Sequence, residues 1–304
     1  MIPNSDSPEC WPPLPLLAEW QGTYDTLHMW TQMVGKVRLA LSPNVNHWWH
    51  SALYVTPRGL ATSAIPFRDR TFELEFDFID HRLMLRTSDG AVKSLPLVPQ
   101  TVADFYGDFM AMLKSAGFEV LIWKMPVEVA DPIAFDKDTV HASYDRAPVK
   151  SFFRALSSIN TVFQHFRSGF LGKSSPVHFF WGSFDLAVTR FSGKRTPARP
   201  GADHVTLEAY SHEVISGGFW PGGGDVKGAA FYSYAAPAPE GYAKYKVSPA
   251  KAYFDTKLGE YLLSYDDLRR ESSPSKALME FLQTTYEAGA IPGKWDRQAL
   301  ERTL

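Results

Sequence analysis

Two short histidine-containing segments carry the residue types best suited to chemistry in this sequence. Residues 42–53 read SPNVNHWWHSAL and residues 174–185 read SSPVHFFWGSFD, so each places a histidine after a Ser-Pro and beside aromatic residues. Imidazole nitrogens bind transition metals and transfer protons near neutral pH. The sequence therefore directs the search for a site to these two segments and to the strands that would hold them.

A metal centre assembled from separate strands is the first hypothesis for the histidines. His50 and His212 are its candidate ligands, and Asp185 or Glu213 would complete a two-histidine, one-carboxylate set with positions open for substrate. His47 and His50 would point to opposite faces of an extended strand, so the HWWH segment alone is a weak chelate. The expected cofactor is a divalent transition metal, Fe, Zn or Mn, and the alternative is no cofactor.

Acid–base and substrate-binding roles are expected around the same segments. His178, Asp185 and Glu213 are the candidate catalytic groups. Since side chains alternate along a strand, Asp185 would share its face with Trp181 and Ser183. The candidate substrate-binding residues are Tyr54, Trp181, Ser183, Arg190, Phe219 and Trp220. Arg190 is expected to hold an anionic substrate, and the aromatic residues would form the walls of the pocket.

Phe219 and Trp220 lie in a glycine-rich stretch, SGGFWPGGGD, at residues 216–225. Five glycines and a proline predict irregular structure there. One interpretation is a mobile lid that carries the two aromatic side chains over a ligand. The other is a tight corner where one backbone segment passes close to another.

The elements that must position these residues follow from hydrophobic periodicity. Apolar residues recur at steps of three and four from Leu27 to Leu41 and again from Leu156 to Phe170, which predicts two amphipathic helices. A third helix is predicted from a Thr101-x-x-Asp104 start, and a fourth from Ser273 as its N-cap. Strand-like runs of alternating or aromatic residues, including NHWWHSALYVT, lie between them.

Both halves of the chain thus follow the order helix, loop, strands, helix. We expect an α+β fold, internally duplicated about a pseudo-twofold axis, with a cleft between the sheets of the two halves. The sheets would either pair into one or stack face to face. The expected segments are an N-terminal Pro-rich stretch (1–21), a first repeat (22–129), a linker (130–149), a second repeat (150–289) and a C-terminal tail (290–304).

Composition limits the classes of partner. The chain has 304 residues with 31 Lys+Arg against 33 Asp+Glu, a balance too near neutral for a protein that holds nucleic acid through its phosphates. Neither a signal peptide nor a run of about 20 apolar residues for a membrane span is present in the sequence. Cys10, the single cysteine, has no partner for an intramolecular disulfide. We expect a cytoplasmic protein with a small-molecule ligand, no nucleic acid and no membrane partner.

Four longer phrases carry a resemblance to a known family. They are WPPLPLLAEWQGTYDTLHMWTQMVGKVRLAL, VNHWWHSALYVTPRGL, SPVHFFWGSFDLAVTRFSGKR and YSHEVISGGFWPGGG. In these phrases the chain resembles an uncharacterised bacterial domain-of-unknown-function family over nearly its full length. The resemblance implies a bacterial, soluble, single unit, and it implies no activity, cofactor or catalytic residue.

Two functions from different classes follow from these residues. The first is a metal-assisted enzyme that carries out oxidative or hydrolytic chemistry on a small organic substrate, with an anionic substrate as one option. The second is a ligand-binding or sensor protein that uses the same aromatic and histidine-lined cleft without metal or catalysis. A third class, a structural or assembly partner, would require a large exposed apolar patch.

Overall fold

The computed structural model describes residues 6–197 and 200–302. The helices are α1 (Leu17–Leu41), α2 (Val102–Ser115), α3 (Arg146–Ser168), α4 (His204–Ala209), α5 (Tyr265–Leu268), α6 (Pro274–Ala290) and α7 (Arg297–Leu300), with 3-10 helices η1 (Asn46–Ser51), η2 (Phe135–Lys137) and η3 (Tyr242–Lys244). The strands are β1 (Tyr54–Val55), β2 (Gly59–Ala61), β3 (Ile65–Phe67), β4 (Arg70–Asp77), β5 (Arg82–Thr87), β6 (Val92–Pro96), β7 (His178–Phe180), β8 (Asp185–Arg195), β9 (His212–Trp220), β10 (Ala230–Ala236), β11 (Tyr253–Asp255) and β12 (Glu260–Ser264). Helices mix with two antiparallel sheets, so the predicted α+β class is confirmed.

The long helices form where the sequence carries apolar residues at helical spacing. Leu27 and Trp30 of α1 and Leu156 of α3 have no exposed surface. The helix α2 begins with the predicted cap, because the Thr101 hydroxyl accepts a hydrogen bond from the backbone N–H of Asp104 at 3.0 Å. Across the described ranges, no helix combines the length and apolar character needed to cross a bilayer.

The first sheet has the order β1-β2-β4-β5-β6, with β3 also pairing to β4. Alternate residues of β4, Phe72, Leu74 and Phe76, are buried on one face, as the sequence predicts. The polar residues between them face cross-strand partners, and Arg86 Nη1 lies 2.6 Å from Glu75 Oε2. This sheet therefore buries one face and neutralises the carboxylates of the other through ion pairs.

The second sheet has the order β7-β8-β9-β10-β12-β11. One of its faces packs against α3 and α6. The ring of Phe152 on α3 stacks on Phe219 of β9 at a centroid distance of 6.0 Å. Gly289 of α6 comes so near β9 that a Cβ there would stand 2.7 Å from Ile215. The helices thus cover one face of this sheet and leave the other face for the site.

The two sheets meet at one antiparallel bridge between Leu53 and Phe179. The N–H of Leu53 donates to the carbonyl oxygen of Phe179 at 2.9 Å, and the N–H of Phe179 donates back at 2.8 Å. This bridge places β7 beside the chain that leads into β1. Of the two arrangements left open by the sequence, the sheets adopt edge-to-edge contact at this point.

The predicted strand NHWWHSALYVT is wrong over its first half. Residues 46–51 form the 3-10 helix η1, and only Tyr54–Val55 become a strand. His47 and Trp48 have φ values of 59° and 62°, in the left-handed region that an extended strand does not contain. The alternation of side chains predicted for this segment therefore does not apply to its histidines.

Candidate functional site

A cavity of about 840 Å³ lies over the face of the second sheet that α3 and α6 leave uncovered. Its cover comes from η1, from α4 and from the turn at Val127 and Glu128. The floor residues are Asp185, Ala187, Thr189 and Phe191 of β8, Val214, Ser216 and Trp220 of β9, Tyr232 and Tyr234 of β10, and Glu260 of β12. None of the described residues that line the cavity belongs to a strand of the first sheet. The cavity therefore lies on one sheet, whereas the sequence led us to expect a cleft between two.

The strand alternation predicted around Asp185 places the polar face in the cavity. Trp181, Ser183 and Asp185 all line it. Phe184 and Leu186, on the opposite face, have no exposed surface and belong to the core. Three of the residues expected from the sequence to form a site are thus brought together by β8 and the turn before it.

A glycine of β9 lets a tyrosine lie flat across the cavity floor. Gly218 is the cross-strand partner of Ala187 on β8 and of Tyr232 on β10. A Cβ at Gly218 would stand 2.2 Å from the Tyr232 ring, so only glycine leaves room for it. The ring crosses β9, and its hydroxyl donates a hydrogen bond to Asp185.

The same packing explains why the prediction of irregular structure for residues 216–220 is wrong. These residues belong to β9, and their two glycines do not interrupt it. Gly218 makes room for Tyr232, and a Cβ at Gly217 on the other face would stand 2.6 Å from Leu282 of α6. The glycines therefore serve close side-chain packing on both faces of a regular strand, and this part of the stretch is neither a lid nor a corner.

Asp185 is buried without a cationic partner. Its carboxylate accepts hydrogen bonds from the Ser183 hydroxyl, at 2.5 Å, and from the Tyr232 hydroxyl. Burial raises the pKa of Asp185, and the two hydroxyl donors partly oppose that shift. Among the described residues it forms no salt bridge. Its donors are therefore two hydroxyl groups and its own backbone N–H, and none of them carries a positive charge.

Two further carboxyl groups face the same space. Burial raises the pKa of Glu128, and the charge of Asp185 raises it further. Burial also raises the pKa of Glu260, to about 7, with added repulsion from Asp185 and Asp255. The described lining contains no lysine or arginine. We call Asp185 and Glu260 of the floor, together with Glu128 of the cover, the acidic floor, since no cationic group in the described lining neutralises them.

Glutamine at position 260 is expected to stabilise the protein at alkaline pH. The native state holds the Glu260 proton up to about pH 7, whereas an ordinary glutamate releases it near pH 4.5. Stability of the wild-type chain therefore falls as pH rises between these values, and the neutral amide of Glu260→Gln avoids that loss. Thermal unfolding should show a Tm about 2 °C higher for the variant at pH 8 and no difference at pH 4.

Glu240→Gln, on an exposed loop, is the matched control and should leave Tm unchanged at both pH values. A Tm gain for Glu260→Gln that is equal at pH 4 and pH 8 would contradict the assignment, because the gain would then come from packing and not from the proton.

Aromatic side chains form the walls of the cavity. They are Trp48, Trp49, Phe180, Trp181 and Tyr210, together with Phe191, Trp220, Tyr232 and Tyr234 of the floor. Trp181 is fixed from two sides. Its Nε1 donates to the carbonyl oxygen of Ser51 at 2.7 Å, and its ring lies where a Cβ at Gly35 would come within 2.2 Å. Gly35, in the middle of α1, thus leaves the space that the Trp181 ring occupies.

The HWWH segment brings His47, and not His50, to the cavity. His50 is buried beneath η1, where its Nδ1 accepts a hydrogen bond from the N–H of Val45 at 3.2 Å. The ring that lies beside His212 is that of His47, at a centroid distance of 5.9 Å. The expected pairing of His50 with His212 is therefore not formed.

His178 and Tyr54 lie behind the cavity wall. His178 is 1% exposed and packs between the rings of Trp49, Tyr54 and Phe180. Burial lowers the pKa of His178 to about 3, and the charge of Arg38 adds to the shift. Its two ring nitrogens have no hydrogen-bond partner within the described part of the chain. His178 is thus a neutral imidazole that Trp49 separates from the cavity.

His212 and Glu213 face opposite sides of β9, as expected for adjacent strand residues. The Nδ1 atom of His212 lies 3.0 Å from the Ser211 hydroxyl on the cavity side. Glu213 lines a separate pocket of about 80 Å³ beside Trp295. The carboxylate expected to act with His212 therefore belongs to a different part of the molecule.

Arg190 and Phe219 lie on the face that the helices cover. The guanidinium carbon of Arg190 stands 3.5 Å from the ring centroid of Phe166 and 4.5 Å from that of Tyr286. Phe219 has no exposed surface and packs against Phe231. Both residues are out of phase with Asp185 and Trp220 along their strands, so neither reaches the cavity. Arg190, expected to hold an anionic substrate, therefore does not line this cavity.

The candidate metal ligands do not converge. Within residues 6–197 and 200–302, no group of three or more His, Cys, Asp or Glu side chains is placed to hold a metal ion. His50 is bonded within its own 3-10 segment, and His212 has the ammonium group of Lys173 and the guanidinium group of Arg195 near it. These surroundings favour an anion over a metal cation next to His212.

Sequence reasoning missed Tyr232, Tyr234, Glu260 and Glu128. The first two alternate with buried residues in the strand AFYSYAA, so periodicity alone could have placed them on one face. Glu260 reaches the floor through the pairing of β12 with β10, which sequence does not specify. Glu128 comes from an irregular segment with a φ of 56° and carries no sequence signal.

A model of a family of unknown function, DUF5996, matches residues 11–302. The chain belongs to this family, which confirms the resemblance seen in the four sequence phrases. No curated protein and no solved structure matches the chain. The family has no established activity.

Proposed function

We propose that the cavity over β8, β9 and β10 binds a small organic cation. The observation that carries this proposal is the sign of its charge: Glu128, Asp185 and Glu260 face the cavity, and its described lining has no lysine or arginine. This differs from the anionic substrate expected from the sequence, which depended on Arg190.

The energetics of the acidic floor support the same conclusion. A buried carboxylate without a cationic partner is unfavourable, and the raised pKa values of Asp185, Glu128 and Glu260 express that cost. A cation in the cavity would restore the missing partner and lower all three pKa values. The described residues supply only uncharged donors to Asp185, two hydroxyl groups and its own backbone N–H, so a ligand ammonium group would be its first cationic partner.

The aromatic walls suit the apolar part of such a ligand. Trp181 and Trp220 line the cavity beside Asp185. Aromatic faces attract an organic cation with about 0.5 to 2 kcal/mol, depending on how far the cation is desolvated. An alkylated or aryl-substituted ammonium compound would therefore use both parts of the site, the carboxylates for its charge and the rings for its carbon surface.

Acid–base chemistry on the bound amine is a second candidate function, and Glu260 supports it. A pKa of about 7 lets one carboxyl group give and take a proton near neutral pH. An enzyme of this kind would lose turnover in Glu260→Gln and keep ligand binding. A pure binding protein would show no turnover in either form.

A metal-assisted reaction at His50 and His212 is not part of this proposal. The reason is the position of the two histidines, since His50 is bonded to Val45 beneath η1 and does not line the cavity. A metal ion bound elsewhere in the protein would not alter the charge argument for the acidic floor.

Choline and its neutral isostere 3,3-dimethyl-1-butanol provide the test. Their shapes match, and only choline carries the positive charge. Isothermal titration calorimetry should give an affinity at least about tenfold higher for choline, with quenching of the Trp181 or Trp220 fluorescence as a second readout. Equal affinity for the two compounds, or no binding of either, would overturn the proposal.

We also propose that the two halves arose by duplication. The helices α1 and α3 share their apolar spacing, and each is followed by a loop, antiparallel strands and a closing helix. Leu53 and Phe179 each follow one of these long helices and pair with one another. A pseudo-twofold axis between them would require such antiparallel pairing. Each half contributes a six-stranded sheet, and the two sheets differ in the order of their strands.

A further inference from the structure

A group of basic side chains lies at the end of the cavity opposite Asp185. Lys173 Nζ lies 2.6 Å from His47 Nε2, and His212 lies beside the His47 ring. The other nitrogen of His47, Nδ1, stands 3.1 Å from the carbonyl oxygens of Glu208 and Ala209. Nδ1 therefore carries the proton of a neutral imidazole, and Nε2 accepts from the lysine. We call His47, Lys173 and His212 the basic cluster.

No carboxylate among the described residues neutralises this cluster. Lys173 and His212 form no ion pair there, and Arg195 adds another positive charge near His212. Burial lowers the pKa of all three groups, and the charge of Lys173 lowers the pKa of His47 and His212 further. Like charges therefore lie close together in both groups. The charge is positive in the basic cluster and negative in the acidic floor.

The basic cluster adjoins the cavity that contains the acidic floor, although Lys173 and His212 are not among its described lining residues. His47 lines it directly, and the ammonium group of Lys173 stands 5.0 Å from the ring of Phe191 and 5.5 Å from the ring of Trp49, two further lining residues. Phe191 and Asp185 lie on the same face of β8, six residues apart. At about 3.3 Å per residue, the two ends of the cavity are roughly 20 Å apart along the strand.

We infer that the ligand is an elongated zwitterion, with its ammonium group on the acidic floor and a carboxylate or phosphate on the basic cluster. This inference rests on the proposed function for the cation end. One molecule of this kind would supply the missing counter-charge at both ends, whereas a simple amine would leave Lys173 and His212 without an anion.

Unbranched ω-amino acids and their methyl esters test the anion end. The ester keeps the length and the amine and removes only the negative charge. In a series from 4 to 12 carbons, calorimetry should show that the free acid binds about tenfold more tightly than its ester at the lengths that reach both ends, and equally at the shortest. ω-Aminoalkyl phosphates of the same lengths show which of the two anions the cluster prefers.

Lys173→Gln should bring the ratio of acid to ester affinity back to about one. Lys194→Gln is the matched control, because Lys194 lies on β8 but bonds to the carbonyl oxygens of Gly293 and Lys294, and its acid-to-ester ratio should remain at the wild-type value. If the esters bind to the wild-type protein and acid and ester have equal affinities at every length, the inference is overturned. Failure of the esters themselves to bind would instead overturn the proposed cation site.

Discussion

Replacing Asp185 by asparagine is expected to weaken choline binding about 100-fold without destabilising the fold. Asparagine keeps the shape of the side chain and can still accept from the Tyr232 hydroxyl, but it removes the buried charge that would meet the ligand. Removing an unpaired buried carboxylate also relieves a desolvation penalty. Tm should therefore stay level or rise. Calorimetry with choline, beside thermal unfolding of the same sample, measures both effects.

Asp77→Asn is the matched control for this prediction. Asp77 is equally buried but lies in the first sheet, where it pairs with Arg58 Nε at 2.5 Å and accepts from the N–H groups of Ile79 and Asp80. That variant should lower Tm and leave choline affinity intact. If Asp185→Asn instead lost stability and kept its affinity for choline, Asp185 would be a structural group and the acidic floor would not be a binding site.

Gly218→Ala is expected to damage both stability and binding. The added methyl group would overlap the Tyr232 ring, which must rotate away and give up its hydrogen bond to Asp185. Overpacking of this kind costs about 1–3 kcal/mol, which corresponds to a fall in Tm of about 1.5 °C for each kcal/mol in a chain of this length. Choline affinity should fall as well, since the displaced ring enters the cavity. Thermal unfolding and calorimetry again report the two effects separately.

Gly107→Ala serves as the control, because a Cβ at Gly107 on α2 meets nothing within 4 Å. That substitution should leave Tm level or raise it slightly, as alanine favours a helix. A double variant with Tyr232→Ala provides a second check. If the crowding is with Tyr232, Gly218→Ala should cost little once the ring is gone, and a full cost in that background would contradict the mechanism.

Local periodicity predicted the helices and the main strands because those signals are carried by neighbouring residues. The apolar stripes of α1 and α3 and the alternation in β4 need no knowledge of the rest of the chain. The cap of α2 at Thr101 likewise depends on one residue three positions away. These elements were therefore found with the correct type, although α1 begins ten residues before Leu27, the first residue of its predicted stripe, and α3 begins at Arg146, ten residues before Leu156.

Glycine-rich sequence was a poor guide to β9. Composition predicts irregular backbone for SGGFW, but the reason for its glycines lies on other elements, in the ring of Tyr232 and in Leu282 of α6. The local sequence NHWWH likewise does not predict the positive φ values of His47 and Trp48. Tertiary packing overrode the local signal in both places.

The site shows the same division between local and long-range information. Trp181, Ser183 and Asp185 were placed together because one strand and its preceding turn hold them. Glu260 and Glu128 required the pairing of distant segments. Arg190 was proposed for its charge alone, and its position five residues after Asp185 places it on the opposite face of β8. The sign of the predicted ligand charge changed as a result.

Calorimetric titration of the wild-type protein with choline at pH 7, in Pipes and in Aces buffer, tests the cation-binding cavity most directly. The two buffers differ in ionisation enthalpy, so the comparison counts the protons exchanged on binding. A bound cation should lower the pKa of Glu260 from about 7, and binding should therefore release protons. Affinity above that of 3,3-dimethyl-1-butanol together with proton release is the expected result. Equal affinity for the two compounds, or proton uptake on binding of choline, would contradict an acidic floor that receives a cation.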